Sequence, residues 1–199
     1  MGKHFARAIA AAALVVAVPA SAQGSDAYTF LKAVKERDGD KATSLISQPG
    51  TTVINTRDRG DGEGALHIVT RGRDQTWLAF LLAKGARPDV QNAQGVSPLS
   101  LAAQLGWVEG AELLLGRGAS VDLANGRGET PLILAVQQRD LPMVRLLLSK
   151  GANPKRTDNT AGYSALDYAS RDGARSASIL KLLQAPPAAP ANKPMGPKL

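Results

Sequence analysis

One pattern returns along this chain at a fixed interval. Leu81-Leu82-Ala83-Lys84-Gly85-Ala86 recurs as Leu114-Leu115-Gly116-Arg117-Gly118-Ala119 and again as Leu147-Leu148-Ser149-Lys150-Gly151-Ala152, with the same spacing both times. A second pattern keeps the same phase: Ala65-Leu66, Pro98-Leu99 and Pro131-Leu132, with Ala165-Leu166 following one position later than strict repetition would place it. A fixed period of this size dictates a row of like units, each covering its neighbour, rather than one core closed around a centre.

The chemistry of a single unit predicts two short helices. In Ser97-Pro98-Leu99 and Thr130-Pro131-Leu132 a hydroxyl residue stands ready to cap a helix. Proline follows at the first helical position, where its missing N–H costs nothing. Leu99, Ala102 and Ala103 give that helix a small-residue face, and Gly106 ends it. A second helix is predicted from about Val108 to Leu115, with Gly118 as a left-handed stop. The same reading places helices near Pro131–Gln137 and Pro142–Ser149. Helices this short are unstable alone in water, so stability must come from the interfaces between units.

These residues resemble the ankyrin repeat, whose unit is about 33 residues with a T-P-L-H-x-A signature. The signature stands as Ser97-Pro98-Leu99-Ser100-Leu101-Ala102 and Thr130-Pro131-Leu132-Ile133-Leu134-Ala135, and more loosely as Gly64-Ala65-Leu66-His67-Ile68-Val69 and Ser164-Ala165-Leu166-Asp167-Tyr168-Ala169. The resemblance implies an all-α solenoid of stacked helix-turn-helix units joined by loops and β-turns. The outer two copies lack threonine and proline, which predicts looser first-helix starts there. Repeats are expected at about 59–91, 92–124 and 125–158. A degenerate N-terminal helix pair is expected over 28–48, from Tyr28–Glu36 and Asp40–Ser47, and a C-terminal cap over 159–184 with its second helix at Ser176–Gln184. The repeat domain as a whole is expected to cover 23–184.

Both ends read differently from the repeats. Lys3 and Arg7 precede the apolar run Ala8 to Val18, then Pro19 and the small-x-small triplet Ala20-Ser21-Ala22. That is the layout of a bacterial secretory signal peptide, so cleavage is expected after Ala22, with the periplasm or onward secretion as the destination. The run is too short for a membrane span, which needs roughly 20 residues. No stable membrane insertion is expected after cleavage. Residues 185–199 hold Pro186, Pro187, Pro190, Pro194 and Pro197 among alanines, the composition of a disordered tail.

Composition closes off several function classes. The chain has no cysteine, so disulfides, thiolate metal sites and cysteine catalysis are excluded. Its formal net charge is +7, from 24 basic and 17 acidic residues. Setting aside Lys3, Arg7, Lys193 and Lys198 leaves 20 basic residues against 17 acidic ones, too mild an excess to indicate nucleic acid. Asp58, Asp61 and Glu63 lie close together but fail the calcium-loop spacing. Gly60, Gly62 and Gly64 lack the strand before and the Gly-Lys-Ser/Thr after that a phosphate loop needs. His67 is the only histidine beyond the leader. The resemblance assigns it to tying loop backbone to its repeat. No cofactor and no metal are expected.

Recognition is therefore expected on the surface the resemblance implies: loop tips and the exposed ends of the first helices, lining a concave groove that binds another protein. The loop positions are Asp61, Glu63, Gln94, Val96, Arg127, Glu129 and Tyr163. The helix-end positions are Arg71, Gln104, Leu105, Gln137, Gln138 and Arg171. Trp107 joins them, since it follows Gly106 where many ankyrin units carry histidine and tryptophan is a favoured interface anchor. Trp77, offset into a second helix, is expected in the core between repeats. Gly110 lies within a second helix, marking it as weak or closely packed. The expected molecule is a non-catalytic monomer with one unidentified protein partner. The alternatives are a small envelope enzyme on a repeat scaffold, or a tether working through its tail.

Overall fold

The computed structural model describes residues 20–185. The expected leader lies outside them except for Ala20, Ser21 and Ala22, and the expected tail except for Ala185. Helices come in pairs: α1 (Ala20–Glu36) with α2 (Gly39–Ile46), α3 (Ala65–Arg71) with α4 (Gln75–Ala83), α5 (Pro98–Leu105) with α6 (Val108–Gly116), α7 (Pro131–Gln137) with α8 (Leu141–Ser149), and α9 (Ala165–Asp172) with α10 (Ala177–Gln184). The first helices pack side by side in the order α1, α3, α5, α7, α9, and α4, α6, α8 and α10 form a second layer behind them. Among the described residues there are no strands, only isolated antiparallel bridges at Arg57–Gly64 and Thr157–Ser164.

The core runs the length of the stack between the two layers. The signature leucines Leu66, Leu99 and Leu132 are fully buried, as are Leu78, Leu81, Leu114, Met143 and Leu147 from the second helices. Ala102, Ala103, Ala135 and Ala169 are also fully buried. Their small side chains let neighbouring first helices lie close together.

The helix starts show why the units repeat. Ser97 Oγ accepts the Ser100 N–H at 3.1 Å and Thr130 Oγ1 accepts the Ile133 N–H at 3.3 Å, with proline next in both. The outer copies are not the loose starts expected from their lost threonine and proline. Ser164 and Asp167 cap each other: Ser164 Oγ accepts the Asp167 N–H at 3.2 Å, and Asp167 Oδ2 accepts the Ser164 N–H at 2.9 Å. This reciprocal box satisfies two end groups at once. In the first copy His67 Nδ1 accepts the Gly64 N–H at 3.2 Å. A second difference is at α1, which begins at Ala20 rather than Tyr28. Among its residues whose burial is described, from Asp26 on, the first buried one is Phe30, so the apolar pattern marks a late start although no proline interrupts the helix before it.

The turn between paired helices follows one design in three of the five pairs; α5–α6 and α9–α10 differ, the latter being joined through Gly173–Ser176. Arg37, Arg73 and Arg139 take left-handed backbone, and the aspartate after each caps a second helix: Asp38, Asp74 and Asp140 accept the N–H groups of Lys41, Trp77 and Met143 at 2.9–3.0 Å. Each arginine then reaches the next unit. Arg37 Nε donates to Asp74 Oδ2 at 2.6 Å, Arg73 to the Leu105 carbonyl, and Arg139 to both Asp172 carboxylate oxygens at 2.7 Å. The middle repeat has Gly106-Trp107 instead of Arg-Asp. Gly106 is left-handed too, and α6 begins without a side-chain cap.

Candidate functional site: the loop-tip and helix-end groove

The groove is built from tight loops that hold one another. Each tip turns on an aspartate or asparagine whose Oδ1 accepts backbone N–H groups ahead of it. Asp58 takes Gly60 and Gly62, Asn92 takes Gln94 and Val96, Asn125 takes Arg127 and Glu129, and Asp158 takes Thr160, Ala161 and Gly162. The backbone N–H of the same residue closes the loop on the carbonyls of Glu63, Val96, Glu129 and Tyr163 at 2.9–3.0 Å. Successive tips are then joined directly. The N–H groups of Ala93, Gly126 and Asn159 donate to the carbonyls of Asp61, Gln94 and Arg127 at 2.8–2.9 Å. Four loops thus form one continuous rail, and Asp61, Gln94 and Arg127 are its rungs.

His67 secures the rail to the helices. Its ring is 0% exposed. Nε2 donates to the Val96 carbonyl of the next repeat at 2.9 Å while Nδ1 accepts from Gly64. One nitrogen must donate and the other accept, which fixes the neutral tautomer. Burial, the largest influence, holds its pKa below the usual imidazole value. The role implied by the resemblance is the one the geometry gives it.

The structure brings together residues that sequence reasoning placed in two separate sets. In three repeats the loop-base residue meets the helix end eight residues later. Glu63 pairs with Arg71. Glu129 Oε1 accepts from Gln137 Nε2 at 3.5 Å, and its Oε2 takes Arg127 Nη2 and Asn125 Nδ2, both at 2.8 Å. The Arg171 guanidinium lies 4.6 Å from the Tyr163 ring centroid. Val96 and Gln104 occupy the same two positions in the middle repeat and are both half-buried. The first, third and last copies of the signature each carry such a pair on the expected binding surface.

Three of the expected surface residues are buried, and this corrects the picture of freely exposed side chains. Glu63 and Glu129 are 8% and 7% exposed because their carboxylates are held by the arginines and amides just named. Burial pushes the Glu129 pKa up, but hydrogen bonds from Asn125 and Arg127 outweigh it and hold the carboxyl below its usual range. Trp107 is 6% exposed. Its ring folds back over Gly110 in the next turn, which has no side chain to obstruct it. It is a packing residue rather than an anchor. Asp61, Arg71, Gln94, Arg127, Gln137, Gln138 and Arg171 are exposed, and Val96, Gln104, Leu105 and Tyr163 are half-buried. Trp77, expected in the core, is half-buried at the start of α4. Phe80 meets it edge-on at 5.5 Å and Arg37 lies 5.9 Å from its ring centroid.

Sequence reasoning passed over Tyr168. Its hydroxyl donates to Asp158 Oδ2 at 2.6 Å and its ring meets Tyr163 edge-on at 5.6 Å. That hydrogen bond raises the phenol's pKa. Burial pushes Asp158 up, but Tyr168 and the three loop N–H groups hold its carboxyl below the usual range. The signal was present: Asp58, Asn92, Asn125 and Asp158 recur in step with the repeat, each followed by a glycine three or four positions on.

The acidic trio of the first loop, which fails the calcium spacing, is engaged otherwise. Asp58 serves its own loop, Asp61 Oδ1 accepts the Glu63 N–H at 3.0 Å, and Glu63 holds Arg71. Among the described residues no group of three acidic or histidine side chains is placed to hold a metal ion. None of the described helices is long and apolar enough to cross a membrane. A family model described as ankyrin repeats (3 copies) matches residues 30–125 and 110–193. Those two segments take in most of the sequence and every loop and helix end of the groove, and the chain belongs to the ankyrin-repeat family.

Proposed function

We propose that this protein is an exported, non-catalytic binding module that acts as a monomer and holds another protein along the groove of loop tips and first-helix ends. Ankyrin repeats mediate protein–protein interaction, and that coarser function comes with the family. The observation that carries the finer reading is the rail. Its tips are hydrogen-bonded to one another, and three copies of the signature carry a side-chain pair beside it. A partner meeting such a surface would cost little in ordering it, which is the usual route to useful affinity. Asp61, Gln94, Arg127, Gln138 and Arg171 offer exposed acidic, basic and amide groups rather than a single sign of charge, which suits a folded protein or extended peptide more than a polyanion. Export rests on the composition of residues 1–22 and the cleavage pattern at Ala20-Ser21-Ala22.

The test has two arms. The protein is expressed with its own leader in a bacterial host, and the envelope fraction is examined by intact-mass spectrometry. A chain beginning at Gln23 is expected; an unprocessed chain left in the cytoplasm would overturn export. For binding, the protein is crosslinked gently in its source cell and compared with an Arg127→Glu, Gln138→Glu, Arg171→Glu variant. One partner retained by the native groove and lost with the folded variant is expected. Equal recovery by both would remove the groove assignment.

A further inference from the structure

Lys84, Arg117 and Lys150 stand just past the ends of α4, α6 and α8, one full repeat apart. Those three helices pack side by side. Their C-terminal ends therefore form one edge of the stack, opposite the turns that join each helix pair. Arg87 extends the row in the loop after Lys84, as do Lys155 and Arg156 in the loop after Lys150, and all six cations are exposed. The only acids among residues 83–89, 116–122 and 149–156 are Asp89 and Asp122. Both are engaged by the next loop: Asp89 accepts the Ser120 N–H at 2.8 Å and Asp122 the Asn153 N–H at 3.1 Å. Lys155 stands one full repeat after Asp122, so the last unit carries a cation where the two before it carry an acid.

The fold makes little use of these charges. Among the described residues the ion pairs all lie elsewhere, on α1, at the turns and at the loop tips. Only Lys84 has a neighbour of note, its Nζ lying 5.9 Å from the Phe80 ring centroid. The helix macrodipole favours a cation at a C-terminus, which accounts for Lys84, Arg117 and Lys150 but not for the three cations beyond the turn. The charge is also one-sided. Of the 20 basic and 17 acidic residues between the two ends, the edge takes six and two, and the remainder carries 14 and 15. The basic excess of the repeat domain therefore lies on this edge.

A row of this kind reads charge rather than shape. Gly85, Gly118 and Gly151 each follow a cation of the row, and a Cβ on any of them would meet open space. The large hydrophobic side chain that stands exposed among the described residues, Tyr28, is on α1, so this edge offers no apolar anchor. A specific protein interface is built around such anchors. An anionic bilayer needs none, because its headgroups form a plane of charge that long flexible cations reach independently.

We propose that the edge formed by the C-terminal ends of the second helices is a docking surface for an anionic lipid bilayer, held peripherally through Lys84, Arg87, Arg117, Lys150, Lys155 and Arg156. It is a second surface, separate from the partner groove, and depends neither on that groove nor on export.

The chain has no cysteine, so one environment-sensitive dye can be placed on the full chain at will. Gly116→Cys puts it on the edge, where a Cβ meets open space. Gln138→Cys puts it at the opposite, turn end, where the side chain is exposed. With vesicles of phosphatidylglycerol and phosphatidylcholine the dye at 116 is expected to shift to the blue and the dye at 138 to stay unchanged. Vesicles of phosphatidylcholine alone should shift neither. Vesicle sedimentation at about 0.1 M salt gives the strength. Each surface cation is worth about fivefold in binding, so Lys84→Gln, Arg117→Gln and Lys150→Gln together are expected to weaken it about a hundredfold. Lys35→Gln, Lys41→Gln and Arg175→Gln remove the same charge near the turn end and should stay within about threefold of the native chain, since separated surface charges are screened. Circular dichroism checks that both variants keep the native Tm. Vesicle binding without the shift at 116, or an equal loss in both triple variants, would overturn the proposal. Tighter binding to duplex DNA or to polyglutamate than to the anionic vesicles, lost with the edge variant, would make a polyanion the occupant and overturn it as well.

Discussion

The ring of Trp107 occupies the volume that a Cβ on Gly110 would need. This reverses the expected sign of a simple substitution. Glycine inside a helix ordinarily costs about 1 kcal/mol against alanine, so Gly110→Ala alone should stabilise α6. With Trp107 in place the added methyl meets the indole, and overpacking of this kind costs about 1–3 kcal/mol. Gly110→Ala is expected to destabilise the native protein and to stabilise a Trp107→Ala background. Urea unfolding of the four proteins of that double-mutant cycle measures the coupling. Additive effects would show that the ring does not hold that position.

His67 predicts a pH dependence. Its folded pKa is held below the ordinary imidazole value of about 6.5, chiefly by burial. Below pH 6.5 the unfolded chain takes up a proton that the folded chain resists. The stability carried by the neutral ring is therefore complete above that value and is lost as pH falls toward the folded pKa. Protonation would also place an N–H at Nδ1 facing the Gly64 N–H. His67→Ala is expected to cost about 2 kcal/mol at pH 7.5, in keeping with a buried carbonyl and amide left unpaired. The difference between the two proteins should shrink between pH 6.5 and 5. Thermal unfolding across that range checks it, and a gap that stays constant would count against this tautomer.

The periodic features were legible in the sequence because repetition averages out local ambiguity. Leucine at 66, 99 and 132, and the Gly-Ala pairs after the second helices, placed α6, α7, α8 and α10 to within a residue or so. Single occurrences were less legible. Tryptophan after Gly106 suggests an anchor until Gly110, three residues on, is seen to make room for its ring. Glu63 and Glu129 read as free surface charges because nothing local shows that Arg71 or Gln137, eight residues away, lies opposite. That approach depends on the loop folding back over the end of the first helix, a tertiary relation. Ser164 and Asp167 did carry a local signal, the capping box, masked by comparison with a stricter Thr-Pro consensus.

Arg139 and Asp172 form the most regular of the bridges between units, with two parallel N–H donations. The Arg139 guanidinium, helped by the Ser176 hydroxyl, holds the Asp172 carboxyl far below its ordinary range. A carboxyl shifted this way contributes stability above its unfolded pKa and loses that contribution as pH falls through the folded value. The pair lies at the surface, so its net worth is small and reduced by salt. Asp172→Asn is expected to lower Tm modestly at pH 7 and low ionic strength. That deficit should narrow below about pH 4, and narrow again at neutral pH when salt is raised to 1 M. A deficit unaffected by both would point to lost packing rather than lost charge.

Gly95 and Gly118 have the same backbone hand, with φ of +73° and +86°, but different surroundings. A Cβ on Gly118 would meet open space, whereas one on Gly95 would fall 2.6 Å from the Gly126 nitrogen. That nitrogen carries the rung that donates to the Gln94 carbonyl. Gly118→Ala should therefore cost only the left-handed strain, about 1–2 kcal/mol. Gly95→Ala should cost that strain and about 1 kcal/mol more for the broken rung. The functional consequence separates them further. Shifting the tip between the second and third loops moves Gln94 out of line with Arg127, so Gly95→Ala is expected to weaken partner binding at temperatures where the protein is still folded. Gly118→Ala, on the far side of the repeat, should leave binding intact. Amide exchange at Gly126 supplies the structural readout: it should quicken in Gly95→Ala and stay unchanged in Gly118→Ala. If both variants bound a partner equally well while only the first lost protection at Gly126, the rail would be a stabilising feature of the stack rather than the frame of its binding surface.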